Sequence, residues 1–236
     1  MIPAMQILRK SGDRGQADHG WLKARHSFSF ADYFDPNHMG YRSLRVINED
    51  RVAAGAGFPM HGHRDMEILT WMLDGALEHR DSMGNGSVIR PGELQYMCAG
   101  TGVRHSEFNH SVAQGVHLLQ IWLLPERAGL QPRYDQRDFK HALDGGEWVL
   151  LASPDGEQGA IRIHQDARLL IARADGKDPA PRTLAPGRGA WIHCARGSIT
   201  VNGTALQAGD ALAVEKEPLV SFKDARAAEV LFFDLV

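Results

Sequence analysis

A chain of 236 residues buries roughly 70–75% of the surface its unfolded form exposes, so it needs no staples to hold a core. With 43% hydrophobic and 23% charged residues it is neither disordered nor fibrous, and a net charge of −3 argues against nucleic acid or an anionic membrane as its main partner. Cys98 and Cys194 are its two cysteines, which excludes a disulfide framework and a thiolate zinc site. Twelve histidines direct any metal chemistry toward imidazole and carboxylate ligands.

In chain order, Met1 to Ile7 is short and mildly apolar, is followed by Arg9 and Lys10, and does not read as an export signal. No run approaches the 18 or more apolar residues of a membrane span, and the expected location is the cytoplasm. Strand-length apolar runs, bounded by turn residues, then follow at Ile68 to Leu73, Val116 to Leu124, Trp148 to Leu151, Ile161 to Ile163, Leu169 to Ile171 and Val230 to Phe233. Asn85-Gly86 and Asn202-Gly203 are the strongest hairpin signals. Many short strands with frequent turns predict an all-β sandwich or barrel.

A polar stretch carrying Arg127, Arg133, Asp135, Arg137, Asp138 and Lys140 separates two strand-rich halves. The halves echo each other. Gly75-Ala76-Leu77 leads to Pro91-Gly92-Glu93, and Gly197-Ser198-Ile199 leads to Ala208-Gly209-Asp210, each pair read as a hairpin opened by glycine and a later turn. The expected organisation is an N-terminal barrel over residues 1–130, a linker over 131–145 and a C-terminal barrel over 146–236.

His61-Gly62-His63 places two imidazoles at i and i+2, the same face of a strand, about 6.6 Å apart. Taken alone, such a pair is more often two ordinary surface or core histidines. His105-Ser106-Glu107 repeats the spacing with an imidazole and a carboxylate. On neighbouring strands of one barrel the two pairs would supply three nitrogens and one oxygen to a single ion, each nitrogen about 2.0–2.1 Å from it.

The framing of these pairs is specific. Gly55 precedes His61 by six positions and Glu67 follows His63 by four; Gly100-Thr101-Gly102-Val103-Arg104-His105 is followed by Asn109. These resemble the two motifs of the cupin superfamily, with Gly100 in place of a proline and seven residues rather than six between Glu67 and Gly75. His26-Ser27-Phe28-Ser29-Phe30, Asp35-Pro36-Asn37, Leu44 to Asn48, Asp81 to Asn85 and Ala99 to Glu107 narrow the resemblance to the pirin family, most of all its bacterial quercetin 2,3-dioxygenase-like members. The resemblance covers essentially the whole chain and implies two tandem cupin (double-stranded β-helix) barrels, a bicupin.

It further implies one divalent transition metal in the N-terminal barrel, held by His61, His63, His105 and Glu107, and a metal-free second barrel. The metal is Fe(II) first, with Ni, Co, Mn, Cu or Zn as alternatives that the donor set alone does not separate. The implied reaction is cleavage of a flavonol such as quercetin with O2 to a depside and CO, with Glu107 as the base for the substrate hydroxyl. The alternative function is a metal- and redox-responsive regulator that binds a protein partner.

Glu67 competes with Glu107 for the carboxylate position, or stands beside the metal, or is a charge at a strand end. His164 with Asp166 is a weak candidate for a second metal site. His117 reads as a satisfied core or wall histidine, His79 and His110 as surface positions first and residues of the pocket mouth second, and Cys98 as a small buried hydrophobe first and a residue approaching the cavity second. Phe58, Met60, Trp71 and Met97 read as packing residues first and as lining of the cavity opening second.

Overall fold

The computed structural model describes residues 5–236; residues 1–4, where the stretch read as lacking an export signal begins, lie outside the described residues. The chain is all-β. Among the described residues the one α-helix is the single turn Lys140–Leu143, and no helix is long and apolar enough to cross a membrane. The first strand is β1 (Met5–Arg9). Two compact units follow from the contacts, residues 15–140 and residues 141–236, and the latter also takes in the described residues before Gly15.

The unit of residues 15–140 holds β2 (Gly15–Asp18), β3 (Leu22–His26), β4 (Leu44–Val52), β5 (Gly57–His63), β6 (Glu67–Asp74) and β7 (Leu77–Asp81). It continues through β8 (Gly86–Ile89), β9 (Glu93–Cys98), β10 (Val103–Asn109), β11 (Val116–Leu123) and β12 (Arg133–Asp138). Seven strands form one sheet in the order β12-β9-β6-β11-β4-β3-β2, and the other four form a second, β5-β10-β7-β8. Gln120 on β11 reaches Glu107 on β10, so the two sheets face each other around an interior. Met72, Leu77, Ile89, Val116 and Leu118 fill part of that interior as a dry cluster.

Sequence pattern explains which strands carry chemistry. In β6 the run Ile68 to Leu73 is buried on both faces and reads as continuous apolar sequence. In β10 burial alternates, with Val103, His105, Glu107 and Asn109 inside and Arg104 and Phe108 outside. A period of two thus carries polar groups inward. The larger sheet supplies a matching inner row: His26, Asn48, Gln120, Thr70, Gln95 and Gln136 are successive cross-strand partners.

The second unit contains β13 (Val149–Ser153), β14 (Ile161–Arg162), β15 (Ala167–Ala174), β16 (Arg182–Thr183), β17 (Gly189–Val201), β18 (Thr204–Gln207), β19 (Ala211–Glu215), β20 (Leu219–Val220) and β21 (Phe222–Leu235). Its main sheet runs β1-β19-β17-β21-β15-β13-β14, with β18 also on β17, and β16 pairs with β20. Ile192, Leu212, Val214, Val230 and Phe232 sit in its core, with Trp148 packed against them.

Three local expectations change. Residues 133–138, read as linker, form the edge strand β12 paired with β9. The charged residues Arg133, Asp135 and Arg137 alternate with Tyr134 and Gln136, an edge-strand pattern that composition alone disguises as a solvated connector. β1 pairs with β19 of the second unit. Finally, the echo holds at Gly92 and Gly209, which precede β9 and β19 with φ of 86° and 87°, but not at its other end. Gly75 carries the chain from one sheet to the other, and Gly197 bends the interior of β17.

A candidate metal centre

β5 and β10 are antiparallel neighbours with His61 opposite His105, and this register brings the two sequence pairs together. Three rings converge: His61–His63 at 4.8 Å between centroids, His61–His105 at 4.5 Å and His63–His105 at 4.8 Å. One ligand atom from each lies within 4.8 Å of the others. A β-bulge lies between His105 and Glu107 against β5, a device that re-aims side chains at functional sites. Gly57 permits it, since a Cβ there would overlap the Glu107 carbonyl and the Phe108 backbone.

The proton positions follow from the hydrogen bonds. His61 Nδ1 donates to the Pro59 carbonyl at 2.8 Å, which leaves Nε2 as a bare lone pair. That Nε2 lies 3.1 Å from Nε2 of His105. His63 Nε2 is buried without a hydrogen-bond partner. Burial, reinforced by the neighbouring imidazoles, pushes His105 down to about 2 and His63 to about 4, so both rings are neutral and in ligating form. Three converging imidazoles, of which His61 turns a bare Nε2 toward the others, fit a divalent cation. His61 and His63 are half-buried whereas His105 is buried, so the cluster is accessible from the β5 side.

Glu107, two residues from His105 on β10, is not within 4.8 Å of all three of those nitrogens and so stands outside the histidine group. Its Oε2 accepts from Gln120 Nε2 at 2.8 Å, and its Oε1 is buried with no partner. Burial pushes its carboxyl up to about 7, against the pull of the Gln120 hydrogen bond. Glu107, His105 and His79 form a second group whose ligand atoms lie within 4.8 Å of one another. Asp50 on β4 is another buried carboxyl, pushed up to about 7 by burial and then by the charges of Glu107 and Glu49.

Of the other residues singled out in the sequence, His79 and Met60 depart from their reading, while His110, His117, Trp71, Met97 and Cys98 keep it. Glu67 is fully buried and accepts from the Tyr96 hydroxyl at 2.6 Å; three residues from Thr70, it lies on the opposite face of β6 from the polar row. His79, read as a surface residue, has no exposure at all. His110 is half exposed, and His117 is buried against Glu49 at 2.9 Å. Asp166 is held by Arg188 at 2.9 Å. Trp71 and Met97 are packed, Cys98 is buried and free, and Met60 is exposed. Phe58 faces a pocket, the second of its two readings.

That pocket, about 600 Å³, is lined by Trp21, Phe30, Tyr33, Phe58, His26 and Leu22 among others. Phe58 packs edge-on to Trp21 at 5.1 Å and lies 6.4 Å from the His61 ring. Phe30 meets Trp122 at 5.4 Å, and Trp122 meets His63 at 5.0 Å. Aromatic walls therefore lead to the histidines from two sides.

A histidine cluster inside one β-barrel, followed by a second all-β unit, defines a two-barrel cupin protein. Residues 7–123 match the Pirin family model and residues 150–235 match the quercetinase C-terminal cupin domain. The chain belongs to the pirin family. It is 47% identical to a quercetin 2,3-dioxygenase of Escherichia coli (strain K12), covering 98% of this chain and 99% of the relative. It is 39% identical to a pirin-like protein of Caulobacter vibrioides, covering 97% and 99%. The bacterial pirin YhhW from Escherichia coli, solved in complex with nickel(II), superposes with a TM-score of 0.93 at 45% identity over 98% of this chain and 99% of that one.

Proposed function

We propose that this chain is a metal-dependent dioxygenase that cleaves a flavonol of the quercetin type with O2 to a depside and CO. His61, His63, His105 and Glu107 are the proposed ligands of its metal, and Fe(II) the metal placed first. The observation that carries the reading is the convergence of three imidazoles, with an unpartnered Glu107 oxygen two residues from one of them, beside an aromatic-lined pocket. The nickel complex of the Escherichia coli pirin supports a divalent transition metal, as does the mixed nitrogen and oxygen donor set.

When bound, such a metal supplies Lewis acidity and one-electron redox chemistry. The remaining work belongs to side chains. Trp21, Phe30, Tyr33 and Phe58 offer faces and edges for the flat rings of a flavonol. Gln120 orients the Glu107 carboxylate, which would accept the proton of the substrate's 3-hydroxyl while held at the metal.

The test is metal-loaded protein with quercetin under air and under argon, following flavonol absorbance and released CO. Oxygen-dependent loss with CO release is expected. No such loss with any of Fe, Ni, Co, Mn or Cu overturns the proposal.

A further inference from the structure

We propose that His79 is a positioning residue of this centre: oriented by Asp81, it offers a bare Nδ1 to the Nδ1–H of His105 and so holds the His105 ring with Nε2 turned to the metal. This rests on the metal reading above. On β7, His79 stands opposite Glu107 and Asp81 opposite His105, so the two dyads are side by side in the sheet. Neither the His79 nor the Asp81 side chain has any exposure.

Asp81 is fixed before it meets His79. Its Oδ1 accepts the amides of Met83 and Asn85 at 2.9 and 3.0 Å, and its Oδ2 accepts Asn85 Nδ2 at 2.8 Å. Oδ2 also lies 3.2 Å from His79 Nε2. An ionised carboxylate only accepts, so His79 carries its proton on Nε2 and Nδ1 is bare. That Nδ1 is buried with no hydrogen-bond partner.

His105 presents the complementary problem. Its Nε2 faces His61, so a ligating His105 carries its proton on Nδ1, which is likewise buried and unpartnered. Metal-bound histidines ordinarily donate that second N–H to a buried acceptor. The two rings lie 5.3 Å apart between centroids, and each brings a ligand-capable atom within 4.8 Å of the other and of Glu107. Both nitrogens are buried without a partner on neighbouring strands, and an N–H···N contact between them, direct or through one water, would satisfy both at once. Tyr134 stacks on the His79 ring at 5.0 Å and 27°, its hydroxyl tied to Gln136 at 2.8 Å and to Ser87, which keeps the ring from turning.

The experiment titrates apo-protein with Co(II) against a competing chelator and records the d–d spectrum, for the full chain and three variants. Asp81→Asn keeps the oxygen that caps the Met83 and Asn85 amides but removes the charge that sets the His79 tautomer. His79→Phe removes the acceptor, and His79→Gln restores a carbonyl that accepts. Asp81→Asn and His79→Phe are expected to bind Co(II) roughly 10- to 100-fold more weakly, with a shifted d–d band, and His79→Gln to recover much of both. Wild-type affinity and spectrum in Asp81→Asn and His79→Phe overturn the inference, and so does a loss that His79→Gln shares in full. Should His79→Phe fail to fold, Asp81→Asn with an apo Tm like that of wild type decides alone. His61→Ala separates the two levels. If it binds Co(II) like wild type, the metal reading itself falls and takes this inference with it. If it loses Co(II) while Asp81→Asn and His79→Phe bind normally, the role of His79 alone falls.

Discussion

Gln120 shows how much one buried amide does in this barrel. Its Nε2 is the hydrogen-bond donor to a Glu107 carboxyl that is otherwise buried, and its Oε1 accepts from Trp122 Nε1 at 3.2 Å. Gln120→Ala therefore strips partners from both, and a buried polar group left unsatisfied costs about 1–3 kcal/mol. Urea unfolding of the metal-free protein should show that loss. Occupancy makes a separate prediction. Metal analysis should find less metal in His61→Ala and Glu107→Ala but an unchanged content in Asp166→Ala, whose carboxylate is engaged by Arg188 instead. The spacing of His61, His63, His105 and Glu107 was legible because each pair is local, two residues apart on one strand. Gln120, Asp50 and His79 carried no such mark. Their proximity to Glu107 is made by cross-strand register and by the facing of two sheets, which a residue's sequence neighbours do not encode.

At the scale of elements, glycine separates two kinds of turn that look alike in sequence. Asn202 and Gly203 join β17 to β18 with φ of 45° and 82°, the two positive values of a type I′ hairpin, and a Cβ at Gly203 meets no atom within 4 Å. Gly203→Ala thus carries conformational strain alone, about 1–2 kcal/mol. Gly197 also has a positive φ, 65°, but a Cβ there would overlap the carbonyl oxygens of Arg226 and Ala227 on β21. Backbone paired across a sheet cannot swing aside, so Gly197→Ala adds overpacking of roughly 3 kcal/mol to the strain. Denaturant midpoints should rank wild type above Gly203→Ala and Gly203→Ala well above Gly197→Ala. The apolar runs at Ile68 to Leu73 and Val116 to Leu124 announced β6 and β11, since a strand buried on both faces needs no partner to be recognised. β12 was hidden by its charges, and the bend in β17 by a glycine that reads as a turn. In both cases the deciding partner strand lies far away in sequence, β9 for one and β21 for the other.

Across the whole molecule, the candidate ligands all belong to the unit of residues 15–140, and they come from β5 and β10, two adjacent strands of its smaller sheet. A ligand that binds only the folded state stabilises it by RT ln(1 + [L]/Kd), about 2.7 kcal/mol at a hundredfold excess over Kd. Because the bond energy is delivered to β5 and β10, it should suppress local opening there and in β7, which pairs with β10. The strands β17, β19 and β21 carry none of the candidate ligands, and their buried Cys194, whose thiol burial pushes up to about 12, is inert at neutral pH. Hydrogen exchange of metal-loaded and chelator-treated protein therefore makes a spatial prediction. Removing the metal should speed exchange at the amides of β5, β7 and β10 by up to about a hundredfold, the equivalent of that 2.7 kcal/mol, while amides of β17, β19 and β21 exchange at unchanged rates. An equal acceleration in both units would mean that the metal acts on the whole chain rather than through the β5–β10 pair, and the assignment of its ligands to those two strands would have to be withdrawn.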